Sequence, residues 1–348
     1  MNIQVTMYDT NTLLGLYREV PAVSNYFRNL FTSSVVVSDS EYIDFEKIRG
    51  NRKLAPLVVP VNQGRPIYSE ASSVTRLKPA YVKPKDAVSP ARVIKRRPGE
   101  ILPAPNSLSP AARYNALVGD ILRDHRESID RRIEWLAARA IIDGKVTLES
   151  PDYPTVVVDF GRAADQTITL GSGQYWSDVD HDIMGDVQTW IDKVFAAPFG
   201  GPVNRLTVGS SVIGPMMKNK SVLAQLDTQV RGTNANLNTG LRAGDYCQFV
   251  GMLGPNIELW VNSDFYEKPD GTTEKFLDAK KVLLSGPNVM GVEAYGAILD
   301  LDANLQPLQI FPKMWKQQDP SALFILTQSA PLFVPVNPNN TLTAQVLA

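Results

Sequence analysis

Cysteine and histidine are almost missing from this 348-residue chain, which has one Cys and two His. A lone cysteine, Cys247, cannot close an internal disulfide, and no Cys/His cluster exists to hold a structural zinc. Long apolar runs are also missing: no stretch reaches the roughly 18 residues needed to span a bilayer as a helix. The first thirty residues lack a basic start followed by an apolar segment, which predicts no signal peptide. These absences exclude a disulfide scaffold, a zinc module and a helical membrane protein. What remains is 44% hydrophobic and 20% charged, the composition of an ordinary folded protein. The length predicts two domain-sized bodies, or one domain with large extensions.

Net charge is nearly absent too, at −1, but the balance hides a division. Residues 1–150 carry 22 Lys/Arg against 16 Asp/Glu, and residues 151–348 carry 13 against 20. The basic excess is sharpest from Arg76 to Arg97, where Arg76, Lys78, Lys83, Lys85, Arg92, Lys95, Arg96 and Arg97 face only Asp86. Such a stripe suits an acidic protein surface or nucleic acid, or protects an exposed strand from aggregation. No DNA- or RNA-binding motif accompanies it.

Residues 1–40 are weakly periodic, with one short helix expected over Leu13–Val20, ended by Pro21. They hold too little apolar surface for a private core and read as an arm. Tyr26, Phe27 and Phe31 have no evident core to join. From Glu41, the string EYIDFEKI alternates apolar and polar residues as a half-buried strand does. Pro56, Pro60, Pro66, Pro79 and Pro84 then bar central strands, so Glu41–Pro90 reads as a protruding β-hairpin. An isolated hairpin is marginal in water and needs support from elsewhere.

Ser109-Pro110 is a strong helix start, and Asp143-Gly144 a strong stop. Between them Val118, Leu122, Ile129, Ile133 and Leu136 recur at helical spacing over about 33 residues, roughly 50 Å of helix. The opposite face carries Arg123, Asp124, Arg126, Glu127, Asp130, Arg131, Arg132, Glu134 and Arg139. The remainder mixes strands and helices without a βαβ rhythm. It predicts a hairpin over Lys145–Arg162, helices over Ile183–Ala197 and Gly214–Asp227, a loop over Val230–Asp245, and one broken strand over Leu323–Val336. The fold class expected is α+β.

Candidate chemistry fails motif by motif. GPMMKNKS (Gly214–Ser221) has Asn219 where a phosphate loop needs glycine before its Lys-Ser pair. VGSSVIG (Val208–Gly214) lacks the flanking glycines of a nucleophile elbow. DVDHDIMGD (Asp178–Asp186) starts like a calcium loop, but Ile183 replaces the turn glycine and Thr189 the bidentate Glu. His125 and His181 offer little material for a triad, Cys247 starts an apolar strand, and Glu127 and Asp130 sit among arginines. The expectation is no enzyme, no cofactor and no metal.

An ordered set of strings carries a resemblance: PAYVKPKDAVSP (Pro79–Pro90), VDFGR (Val158–Arg162), YWS (Tyr175–Ser177) and LDT (Leu226–Thr228). AYGAILDLDA (Ala294–Ala303), FPKMW (Phe311–Trp315), QDPSALFILTQSAPL (Gln318–Leu332) and the final QVLA follow. With the arm, the basic hairpin and the long helix, this set resembles the lambda-type major capsid proteins of tailed phages, the major capsid protein E family with the HK97-like fold. The resemblance implies an N-terminal arm at 1–40, an extended β-hairpin loop at 41–90 and a spine helix with peripheral domain at 91–182. It further implies an axial domain at 183–310 and return strands at 311–348. It also implies pentamers and hexamers in an icosahedral head around double-stranded DNA. A scaffold protein, a portal and a decoration protein would be partners, with assembly in the host cytoplasm and residence in the virion. A cellular nanocompartment shell of the same fold is the alternative. On this footing Arg49, Arg52, Lys53, Arg76, Lys78, Lys83 and Lys85 are candidate subunit-interface residues of the extended loop. Val118, Leu122, Ile129, Ile133 and Leu136 would pack the spine, and Tyr26, Phe27 and Phe31 would meet an accessory protein.

Overall fold

The computed structural model describes residues 8, 10–19, 25–48, 72–95, 109–150, 153–223, 246–254, 256–268, 270–303, 308–319 and 321–348. The arm segment holds α1 (Thr10–Glu19), α2 (Tyr26–Phe31) and β1 (Thr32–Val37). Then come β2 (Ile43–Ile48), β3 (Ser72–Leu77), β4 (Lys85–Val88), α3 (Pro90–Ile94) and the long α4 (Pro110–Ile142). Next are β5 (Lys145–Ser150), β6 (Tyr153–Asp159), β7 (Thr167–Thr169), α5 (Ile183–Ala196), β8 (Arg205–Gly209) and α6 (Ile213–Met216). The chain continues with β9 (Cys247–Leu253), β10 (Ile257–Asn262), β11 (Phe265–Glu267), β12 (Thr273–Lys275), β13 (Lys281–Ser285) and β14 (Gly291–Tyr295). It closes with β15 (Phe311–Gln317), β16 (Ala322–Gln328), β17 (Pro331–Pro335) and β18 (Thr341–Gln345).

Helix α4 forms where the caps and the stripe direct it. The Ser109 side chain accepts a hydrogen bond from Ala112 N, and Gly144 takes φ +68° beyond the last turn. All five stripe residues are buried, but against three different partners. Val118 and Leu122 join Val88, Leu323 and Ile325 of the sheet β15-β16-β4. Ile129 and Ile133 meet Tyr295 of β14. Leu136, Ala137, Ala140 and Ile141 enter the largest cluster of this half, with Phe27, Phe31, Phe276, Leu283 and Phe333. The helix thus runs through every layer of its half of the molecule, which explains a length far above the globular average.

The second body is a mixed six-stranded sheet in the order β7-β18-β13-β8-β10-β9, covered by α5. Trp176 and Trp190 stack at 5.5 Å beneath it. Asp182 caps α5 by accepting from Gly185 N, so the acidic turn of the calcium-like string serves as a helix start. The C-terminal strand β18 lies inside this sheet between β13 and β7.

Three expectations change. The hairpin is narrower than Glu41–Pro90: β2 and β3 pair from Ile43↔Leu77 outward, while β4 leaves the ribbon and becomes an edge strand on β16. The single broken strand at Leu323–Val336 is two strands in two sheets, since β17 begins at Pro331 and pairs with β14. The helix expected over Gly214–Asp227 is broken in two: α6 ends at Met216 and helical structure resumes over residues 220–223, with buried Asn219 between them donating to the carbonyls of Asp178, Val179 and His181. The loop expected over Val230–Asp245 lies outside the described residues.

Candidate assembly surfaces

The arm is seated on the spine by buried charge. Glu134 of α4, 1% exposed, accepts from Phe27 N at 2.7 Å and from Arg28 N at 2.8 Å. Arg28 then reaches Asp130 at 2.9 Å and forks onto both oxygens of Glu293 on β14. Thr32 and Tyr295 also donate to Glu293, so that carboxylate is fully engaged. Burial pushes the Glu134 carboxyl up to about 7, against the opposing effect of its two backbone donors. Burial likewise holds the Tyr17 and Tyr295 hydroxyls far above their ordinary range, with Asp130 and Glu293 respectively adding to it.

This seat corrects the expectation for the aromatics. Phe27 and Phe31 do have a core to join, the one under α4, and as buried rings they present no surface to an accessory protein. Tyr26 packs beside the same core, and its hydroxyl pairs with Thr207 at 2.8 Å. Burial pushes that hydroxyl up to about 12. What the arm leaves exposed is β1, which among the described residues pairs only with β14, in parallel, and carries half-exposed Val35 and Val36 on the edge of its sheet.

The basic candidates scatter. Arg76 forks onto Asp44 at 2.8 Å and Lys78 reaches Glu41 at 2.5 Å, so both are matched within their own hairpin base. The base is anchored on the body by Ile43, Phe45 and Leu77, with Phe45 against Phe160. Lys83 and Lys85 are exposed, and their ammonium groups lie over rings of their own chain. Lys83 lies 4.6 Å from Tyr81, and Lys85 lies 4.3 Å from Phe324 and 5.2 Å from Trp315. Arg49, Arg52 and Lys53 lie outside the described residues, as do Arg96 and Arg97.

The remaining candidates have local structural partners. Cys247 is buried and accepts from Asn262 at 3.0 Å. His181 and the Trp176 indole both contact Asp186. His125 bridges Thr327 and Asp86 at 3.0 and 3.2 Å. Among the described residues no group of three His, Cys, Asp or Glu is placed to hold a metal. Sequence inspection missed the socket made by Asp130, Glu134 and Glu293. The signal was faint: Asp130 and Glu134 flank the Ile129–Ile133 stripe one turn apart, at positions that share its buried side.

Residues 9–346 match the family described as phage major capsid protein E. Among curated proteins, the P21 prophage-derived major head protein of Escherichia coli is 30% identical over 98% of this chain and 99% of its own length. The major capsid protein of Escherichia phage lambda is 29% identical over 98% and 100%. The crystal structure of a prophage capsid protein from E. coli CFT073 superposes with TM-score 0.75 at 25% identity, over 99% of this chain and 100% of that one. The mature capsid of bacteriophage PhiM1 shares the fold alone, with TM-score 0.51 at 9% identity over 99% and 92%. The arm, the hairpin, the spine helix and the two bodies are therefore the parts of an α+β HK97-like capsid fold, and the chain belongs to the phage major capsid protein E family.

Proposed function

We propose that this chain is the repeating subunit of a tailed-phage head, closing as pentamers and hexamers into an icosahedral shell around double-stranded DNA. The observation that carries this is the full-length match to head proteins, from residue 9 to residue 346. An uncharged β1 edge that is unpaired among the described residues, and a two-stranded β2–β3 ribbon whose own pairing is marginal in water, support it. The hairpin crosses to a neighbouring subunit, while exposed Lys83 and Lys85, on the body beside β16, face acidic surface contributed by the 151–348 half of another copy. The arginine-bearing side of the spine looks inward and meets DNA phosphates without sequence preference. Scaffold, portal and decoration proteins complete the assembly in the host cytoplasm, and the mature subunit resides in the virion.

Negative-stain microscopy and size-exclusion chromatography of the purified chain test this. Capsomers or closed shells are expected, and a strictly monomeric chain with and without scaffold refutes it. Reversing Lys83 and Lys85 together to Glu is expected to leave a soluble subunit that no longer closes shells. Normal shells from that variant remove those lysines from the interface.

A further inference from the structure

A cavity of about 780 Å³ opens beneath the arm, between α1, α2, α4, β14 and the turn at 308–310. Tyr17 of α1, Arg28 of α2, Arg126 and Asp130 of the spine and Glu293 of β14 all line it. Two guanidinium groups therefore face two carboxylates, and the pairs Arg28–Asp130, Arg28–Glu293 and Arg126–Asp130 leave the lining with no net charge. Such a lining offers an ion no excess charge to repay its desolvation. Two oxygens on this wall lack what the others have. Tyr17 is 5% exposed, and its hydroxyl makes no hydrogen bond among the described residues. The same is true of Oδ2 of Asp130, also 5% exposed. Its Oδ1 accepts from Arg28 at 2.9 Å, but Oδ2 stays 3.6 Å from Arg126 Nε, too long for a hydrogen bond. Tyr17 is held in place, since its ring lies 5.0 Å from the Arg126 guanidinium, which also donates to the Tyr17 carbonyl oxygen.

Leaving a buried hydroxyl and a buried carboxylate oxygen unmade is costly, and native interiors pair such groups with protein or with ordered water. The occupant that suits both is uncharged, donates to a carboxylate oxygen, and donates to or accepts from a phenol. Space is ample, because one water takes about 30 Å³. We propose that this cavity is a bound-water site, in which one water, or two in series, bridges the Tyr17 hydroxyl to Asp130 Oδ2 and so fastens α1 to the spine helix. The two helices of the arm are then seated differently. Dry contacts seat α2, with Phe27 and Phe31 in the core and Glu134 on its first N–H groups. In α1, Leu13 enters the apolar cluster around Val118 and Leu122, while Tyr17, one turn later, meets the polar cavity. A water bridge there is nearly as favourable in enthalpy as a direct hydrogen bond.

A structure of the full chain at a resolution that shows ordered solvent tests the site directly. Water linking Tyr17 Oη and Asp130 Oδ2 through contacts of up to about 3.2 Å is expected, and a dry gap between them overturns the proposal. Tyr17→Phe removes the hydroxyl and keeps the ring. With the hydroxyl bridged, the amides of α1 are expected to exchange about two- to tenfold faster in the variant, the net worth of one hydrogen bond. An unbridged hydroxyl gives the opposite sign, because removing it relieves a buried unpaired group. Slower or unchanged exchange of the α1 amides in Tyr17→Phe therefore overturns the proposal as well. Both measurements read the single chain, whether or not shells form.

Discussion

Truncating Phe27 to alanine probes whether the arm belongs to the subunit's own core. The ring is fully buried among Phe31, Ala137, Ile141 and Phe333 and lies edge-on to Tyr26 at 5.2 Å. A buried aromatic removes about 150–250 Å² from water, which at about 25 cal/mol per Å² sets an upper bound of about 4–6 kcal/mol. Core Phe→Ala replacements in general cost about 3–5 kcal/mol, and that is the expected loss here. If α2 lifts off the spine first, the loss is capped at the free energy of docking, and the N–H groups of Phe27 and Arg28 lose protection ahead of β14 and β17. Urea titration of the unassembled subunit, followed by residue-resolved hydrogen exchange, distinguishes the two. Leu301→Ala, at a side chain 85% exposed, is the control and should change stability by no more than about 0.5 kcal/mol. A Phe27→Ala loss below about 1 kcal/mol would falsify the integral arm and return Phe27 to the role of an external contact.

Gly291→Ala should destabilise by about 1–3 kcal/mol or more, seen as a lower thermal midpoint, because overpacking forces neighbours to move. A Cβ there would lie 2.1 Å from the Phe333 ring and 2.8 Å from the Phe31 carbonyl oxygen. His125 is 2% exposed, and burial pulls its pKa below the ordinary value, against the pull of Asp86. Its folded value being depressed, it contributes stability above pH 6.5 that is lost as pH falls through the folded value. His125→Asn should therefore flatten the acid limb of the stability profile, and an unchanged limb would assign that limb to other groups.

Much of this fold was legible because its signals are local. The 33-residue spine announced itself through Ser109-Pro110, Asp143-Gly144 and a five-residue stripe, all of which depend on neighbours within a turn or two. The β5–β6 pair and α5 were equally local. Partner choice was not legible. Nothing near Lys85 says that it leaves the hairpin to pair with Leu326, some 240 positions away. Pro331 read as a break because proline has no N–H to donate. As the first residue of an outer strand, β17 in the order β1-β14-β17, it tolerates that loss.

The arm illustrates the same limit for function. Its aromatics looked orphaned because residues 1–40 hold no core, and the core they enter is built from α4, β13, β14 and β17. Glu134 looked like one more charge on a polar helix face until folding buried it against two backbone N–H groups. Composition, helix caps and strand periodicity are set by interactions between residues close in sequence, so the chain by itself determined the class, the spine and most elements. The identity of each sheet neighbour, the burial of the arm and the carboxylate socket arise from encounters between segments 100 to 300 residues apart. Those were decided only by the tertiary structure, because burial and charge matching depend on what arrives from far away along the chain.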